Sequence, residues 1–361
     1  MLVDLALVGF GNVGRRFARM LDERRTTLER NFDLTCRVTG IATRTHGTAY
    51  SDRGLDTAAA TNSVESGRSL AEIEDQNRAP IASNSEIIQR LSRSDAPLKV
   101  VIETTTLNID AGQPAIDHIR EALECGCHVA TANKGPAAFA YEELAALALE
   151  RNRAFLFEGA VMDGVPIFNL VRETLPDVRI QGFRGVVNST TNHILTALED
   201  GEEFGPALSR MQAEGIAEAD PTLDVDGWDA AAKTAALANV WLNARITPHG
   251  VERTGIGPDC AARARTAKAR GRRLRLVASA STGGRPAVRL EELPQDDLLA
   301  RLRGTANALI LSTETLGEIA ICQLDGGLTH TAYALLSDLV TIRRRATASG
   351  AGTNQAAAPL Q

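Results

Sequence analysis

Apolar positions along the chain fall into short unbroken runs separated by stretches of helical period. The opening run, Leu2 to Val8 (LVDLALV), leads into Gly9-Phe10-Gly11-Asn12-Val13-Gly14, and then Phe17, Met20 and Leu21 recur at helical spacing. This order predicts strand, glycine turn and helix. Further apolar runs at Thr35 to Thr43, Leu98 to Glu103 and His128 to Thr131 predict strands, with a helix from Gly112 to Cys125 between the last two. Residues Asp52 to Pro80 are polar and predict a helix flanked by mobile connections. Strands alternating with helices, each strand apolar on both sides, specify a parallel, doubly wound sheet.

Beyond Pro136 the pattern changes. A helix to Arg151 and a strand from Ala154 to Glu158 precede Arg179 to Val187, whose alternating character predicts a strand of a second sheet. Asn188-Ser189-Thr190-Thr191-Asn192 then caps a helix. Later strands are expected at Leu274 to Ala280, Ala287 to Leu290, Asn307 to Thr313 and Glu318 to Gln323, and a last helix from Thr331 to Val340 after Gly326-Gly327. The tail from Arg343 has almost no apolar bulk and reads as disordered. The chain is therefore α/β: an N-terminal Rossmann-type doubly wound parallel sheet over residues 1–135, completed by the C-terminal helix at about 326–343, an α+β domain over 136–325, and a disordered tail, 344–361.

A length of 361 residues fits this two-domain division. Hydrophobic residues at 44%, charged ones at 23% and a net charge of −6 give no pull toward nucleic acid or anionic membrane. No apolar run is long enough to span a bilayer, and the first ten residues read as a strand rather than an export signal, which places the chain in the cytoplasm. Five scattered cysteines do not form a disulfide framework, and Cys125 and Cys127, one residue apart, lack a zinc-knuckle spacing.

The glycine turn has a definite chemistry. Gly9 permits the turn, Gly11 admits a pyrophosphate against the backbone, and Gly14 lets helix and strand pack, with Asn12 and Val13 at the helix N-terminus. The tip of the second strand, Thr43-Arg44-Thr45-His46, offers no acid to a ribose hydroxyl, and Arg44 suits a 2'-phosphate, so NADP is favoured over NAD. Strand-end loops put Thr104 and Thr131-Ala132-Asn133-Lys134 near the nicotinamide.

Between Glu218 and Lys233 the chain packs five carboxylates into sixteen residues, EADPTLDVDGWDAAAK. Asp229 and Lys233 sit four apart on an expected helix and share a face. Such a pair alone is usually a surface ion pair worth a few tenths of a kcal/mol. Here the residues after Lys233, TAALANVWL, are apolar nearly all round, and Asp224 lies just before, so the group suits proton handling for a small polar substrate.

With GFGNVG, TANKGP, the Glu158 to Pro166 loop, VVNSTTNHIL and EADPTLDVDGWDAAAK in this order, the chain resembles the homoserine dehydrogenase family from end to end, apart from the tail. The resemblance implies reversible NAD(P)-dependent interconversion of L-homoserine and L-aspartate 4-semialdehyde, on the way to threonine and methionine, by a homodimer built through the second domain. It also implies Glu218 on the substrate amino group, Asp229 on its polar end, Lys233 at the reacting oxygen, Asp224 orienting Lys233 or substrate, and Lys134 where nicotinamide and substrate join. Thr190 would donate to the substrate carboxylate, and could equally be a plain helix cap. A Na+ or K+ site would fall on Glu158, Val161, Asp163 and Val165, or the segment would be a turn whose Glu158 carboxylate only caps the Asp163 helix.

Three departures from the family pattern stand out: Gly326-Gly327 replaces a longer glycine run, leaving Gly327 as its cofactor contact, Asp163 replaces a small residue and Ser189 a glycine. A C-terminal ACT regulatory domain is not expected. Two other readings are a catalytically silent NAD(P)-binding regulator and a dehydrogenase for a related amino-acid semialdehyde.

Overall fold

The computed structural model describes residues 1–73, 83–214, 217 and 220–350. Glu218 and the end of the tail, 351–361, lie outside the described residues. Contacts divide the chain into two compact units, one of Met1–Pro136, Ala140–Phe168 and the chain from Gly327, the other of Ala137–Phe139 and Asn169–Gly326.

The first unit begins with β1 (Leu2–Val8), α1 (Asn12–Phe32), β2 (Thr35–Ala42), β3 (Thr48–Tyr50), α2 (Thr57–Glu65) and α3 (Asn84–Ser92). It continues with β4 (Leu98–Glu103), α4 (Ala115–Glu124), β5 (His128–Thr131), α5 (Gly135–Glu150), β6 (Phe155–Leu156) and the short α6 (Ile167–Asn169). The sheet order is β3-β2-β1-β4-β5-β6. All neighbours are parallel except β3, which folds back antiparallel on β2 and was not legible in the polar stretch that holds it.

Val3, Leu5 and Leu7 of β1 with Val100 and Ile102 of β4 meet Phe17 and Met20 of α1 in one core. Removing each such side chain from water contributes roughly 1.5–3 kcal/mol. The alternate residues point to the other face, where α3 and α4 pack. Asp4, buried in β1, is held by Arg37 at 2.7 and 2.8 Å from the register-matched position of β2.

The first unit thus extends past residue 135 to Phe168, because β6 adds to the sheet beside β5 and the segment after it bonds to the last helix.

In the second unit come α7 (Ser189–Glu199) after β7 (Ile180–Val186), then α8 (Phe204–Ala213), α9 (Thr222–Val225), α10 (Trp228–Leu242), β8 (Glu252–Arg253) and α11 (Cys260–Ala269). Strands β9 (Arg272–Ser281), β10 (Ala287–Pro294), β11 (Asn307–Thr313) and β12 (Gly317–Gln323) complete it. Its sheet runs β12-β11-β7-β9-β10-β8, antiparallel throughout except for β8 beside β10. Helices α7, α10 and α11 pack on β9. Sequence reasoning missed α11 because its inner face is made of Ala261, Ala264 and Ala267, which carry little apolar signal.

The chain returns to the first unit with α12 (Leu328–Gly350). This helix runs through residues 344–350, which had been expected to be disordered. Arg343 pairs with Asp33 at 2.8 Å, Ile342 is buried and Ala346 packs on the core, so the end of α1 holds the last turns in place.

The centre of the second unit carries an internal ion pair. Arg275 of β9 and Glu199 at the end of α7 are both fully buried and meet at 2.6 Å, while the guanidinium also donates to the carbonyls of Ala300 and Leu302 at 2.9 and 2.8 Å. Removing Arg275 leaves the buried Glu199 with only the more distant Arg273, at 3.6 Å, away from water. Arg275→Met is expected to lower unfolding free energy by about 3–5 kcal/mol, with Glu199→Gln in the same chain restoring part of it. Urea midpoints for the two variants check this, and an unchanged midpoint in Arg275→Met would show that Glu199 is not stranded.

Candidate active site

In the first unit, β1 ends at a backbone crossing. Gly9 has φ +91, and a Cβ there would lie 2.6 Å from the Thr104 carbonyl carbon and 2.7 Å from the Thr105 nitrogen. A Cβ on Gly14 would sit 2.6 Å from the Gly9 oxygen. Thr104 seals the crossing by donating its hydroxyl to the Gly9 carbonyl at 2.6 Å. Gly11 differs: nothing lies within 4 Å of an added Cβ. Open space therefore faces the backbone at the one glycine that must admit a ligand.

Gly11 is also the N-cap of α1, and no side chain caps that helix. The first N–H groups of Asn12 and Val13 are left to an anion, as a pyrophosphate site requires. Arg15 folds back to the Phe10 carbonyl at 3.1 Å and the Asn12 side chain at 2.8 Å, and Arg16 pairs with Glu23 at 3.0 Å. Arg44 is exposed in the turn between β2 and β3, where Thr43 N donates to the Gly47 carbonyl.

The far ends of β4 and β5 are tied by a carboxylate that sequence reasoning overlooked. Glu103, fully buried, accepts from the backbone and hydroxyl of Thr105 and, at 2.7 Å, from the Thr131 hydroxyl. Burial raises its pKa to about 7, against those hydrogen bonds, which favour the anion. Ala132 N donates to the Glu103 carbonyl, and Lys134 is the half-buried N-cap of α5. The only hint in the sequence was an acid closing an apolar run before three threonines.

Residues expected to hold a cation have other partners as well. Glu158 accepts from the Phe168 N–H at 2.7 Å, and the Val165 carbonyl accepts from Ile167 N. Asp163 accepts from Gly327 N at 3.0 Å and from the Thr331 hydroxyl at 3.1 Å, so it fastens the start of α12. Val161 lies between them, just after the turn that Glu158 opens. Gly327, proposed as a cofactor contact, thus spends its N–H on Asp163. Among the described residues no group of three or more His, Cys, Asp or Glu side chains is arranged to hold a metal. His128 instead accepts from Ala154 N, and burial lowers its pKa to about 4.

In the second unit the acidic stretch divides. Asp220 turns back on Thr222 at the surface and Asp226 is exposed. Asp224 and Asp229 come together. Asn188, the N-cap of α7, accepts from Thr191 N at 2.8 Å, and its amide nitrogen donates to Asp224 at 2.7 Å and to Asp229 at 2.9 Å. Lys233, one turn along α10, is bound to Asp229 at 3.0 Å and to the Val187 carbonyl at 2.6 Å. The Asp229 and Lys233 side chains are only 13% and 14% exposed, which separates this pair from an ordinary surface bridge.

Burial and then the charge of Asp229 raise the Asp224 pKa, opposed by hydrogen bonds from Asn188 and Thr190 and by Lys233. The N-cap of α7 is Asn188 rather than Thr190, whose side chain serves Asp224. Two carboxylates against one ammonium leave an excess of one negative charge, suited to a substrate ammonium. Asn188, read from the sequence only as part of a helix cap, and the Val187 carbonyl were not among the expected site residues, although both lie in the motif that contains Thr190.

A dinucleotide-type sheet with an open glycine turn, and an α+β unit carrying a carboxylate and lysine cluster, define a nicotinamide-dependent oxidoreductase of small polar substrates. Residues 9–158 match the profile described as "Homoserine dehydrogenase, NAD binding domain", and residues 166–340 match "Homoserine dehydrogenase". The chain is 35% identical to the NAD(+)-dependent homoserine dehydrogenase of Pseudomonas canavaninivorans, over 95% of this chain and 97% of that protein. It is 34% identical to the homoserine dehydrogenase of Methanocaldococcus jannaschii, over 94% and 98%. A hyperthermophilic archaeal homoserine dehydrogenase solved in complex with NADPH superposes with a TM-score of 0.77 at 29% identity, covering 96% of this chain and 98% of that one. The chain belongs to the homoserine dehydrogenase family. No helix among the described residues is long and apolar enough to cross a membrane.

The glycine turn separates two roles that substitution can distinguish. Gly9→Ala, strained by positive φ and by a backbone clash, is expected to cost about 2 kcal/mol or more of stability. Gly11→Ala should fold normally and weaken dinucleotide binding about tenfold or more. Thermal melts together with titration of reduced-cofactor fluorescence check both, and equal melting losses in the two variants would refute the assignment.

Proposed function

We propose that this chain interconverts L-homoserine and L-aspartate 4-semialdehyde with its acid and lysine cluster as the substrate site. When bound, the nicotinamide supplies the hydride chemistry. The observation that supports the site is the joint hold of Asn188 on Asp224 and Asp229, with Lys233 on the second of them. Asp224 takes the substrate ammonium together with Glu218. Thr190 acts by orienting Asp224 through the hydrogen bond they share. Asp229 fixes the Lys233 Nζ, which gives a proton to the substrate oxygen during reduction and takes one during oxidation.

Lys134 stands at the cofactor end of the reaction as the second lysine. Of the competing readings, a silent regulator is disfavoured by the intact Asp229 and Lys233 pair. Lys233→Met should fold and lower kcat for L-homoserine on the order of 10²–10⁴-fold. Following reduced-cofactor absorbance with L-homoserine decides this, since near wild-type turnover in that variant would remove Lys233 from proton transfer.

Arg44 gives the chain a preference for NADP, through pairing with a 2'-phosphate. Arg44→Asp is expected to shift the ratio of kcat/KM for NADP over NAD by about tenfold or more toward NAD. An unchanged ratio would discard the strand-tip assignment.

We further assign the chain to the cytoplasm as a homodimer, which sedimentation equilibrium tests, and a Na+ or K+ ion to Glu158 with the Val161 and Val165 carbonyls. Asp163 in that assignment fastens the loop to α12. Activity assayed with and without each ion tests it.

A further inference from the structure

The buried Glu103 carboxylate sits at the end of β4, level with Val8 of β1 and Thr131 of β5. A carboxylate with no exposed surface in a sheet costs stability unless hydrogen-bond donors or a counter-charge offset the loss of water. Its partners form a closed relay. Glu103 accepts from Thr105 in the loop after β4 and from the Thr131 hydroxyl at 2.7 Å. Thr131 Oγ1 in turn accepts from Asn133 N at 2.9 Å. The Asn133 side chain then donates to the Thr105 carbonyl at 3.0 Å and accepts from Gly135 N at 2.8 Å. Thr131 and Asn133 are buried, and a side chain at Gly135 would be crowded, since a Cβ would lie 3.1 Å from Asn133 Oδ1 and 3.2 Å from Gly112 Cα. Lys134 is the residue between the two anchored backbone nitrogens, Asn133 N and Gly135 N.

We propose that Glu103 is the positioning residue of Lys134: by accepting from both strand-end loops it fixes the Asn133 and Gly135 backbone and so aims the lysine between them. This deepens the functional reading above and rests on it for the role of Lys134. The relay needs an acceptor on both sides of Glu103. A glutamine supplies one on the Thr105 side and an NH2 toward Thr131, whose own hydroxyl proton then loses its acceptor while its oxygen still receives Asn133 N–H. Thr131→Val removes the same link with nearly unchanged shape, so the two substitutions test one relay by separate routes.

The first readout uses the cofactor-free protein. Competitive labelling of amines in Glu103→Gln and Thr131→Val should change the rate at Lys134 by about threefold or more relative to Lys268, which lies in the second unit. The second readout is turnover. Misaiming a reacting group by a fraction of an ångström to one ångström costs up to about 10²-fold, so kcat should fall about tenfold or more in both variants, with the dinucleotide Kd held within about threefold. Thr131→Ser should restore most of what Thr131→Val loses. Unchanged Lys134 labelling in both variants overturns the proposal, and so does a fall in kcat that only tracks a weakened Kd. Failure of the wild-type protein to oxidise L-homoserine would instead sink the functional reading, while labelling would still decide the part played by Glu103.

Discussion

Two carboxylates with a single amide nitrogen between them set the character of the second unit. At the few ångströms that separate them, Asp224 and Asp229 repel by an amount that grows as water is excluded. Asn188 offsets this by donating to both, and it can do so because its own oxygen is already fixed by the first turn of α7. The strand β7 brings the Val187 carbonyl to the same place, where it shares Lys233 with Asp229. The start of one helix, the end of one strand and one face of another helix are thereby locked to a common charge arrangement. A negative excess held in this way has little freedom to rearrange, which is the condition for electrostatic work at low reorganisation cost.

The first unit solves a different problem, the close approach of backbone to backbone. Gly9 and Gly14 are small because Thr104 and the Gly9 carbonyl occupy the space that side chains would need. Gly11 is small for a ligand, since nothing of the protein lies near its missing Cβ. One motif therefore serves both packing and binding, and its three glycines are not equivalent.

Buried charge recurs through the chain with two kinds of remedy. Asp4 is matched by an arginine on the adjacent strand, Glu199 by Arg275, and Glu103 by hydroxyl and amide donors alone. In the last case burial raises the carboxylate's pKa to about 7, against the hydrogen bonds that favour its anion. Ion pairs secure the sheets, whereas the neutral donor set lies at the strand ends, where the ligand-binding loops begin.

The sequence by itself determined the strand, turn and helix at the start, the positions of most strands, the Asp229 and Lys233 face, and the family. Those features depend on local periodicity, on glycine's freedom and on fixed spacing along one helix, all of which act over a few residues. Only the tertiary structure decided which acids meet, that Asn188 holds them, that Asp163 fastens α12, that Glu103 ties two loops, and that the first unit reaches Phe168. The helix through residues 344–350 belongs with these, since its apolar content is low and its anchor is Asp33, far away in the chain. Such outcomes turn on partners brought together by folding, and a buried polar group shows no sign in sequence of which distant donor will satisfy it.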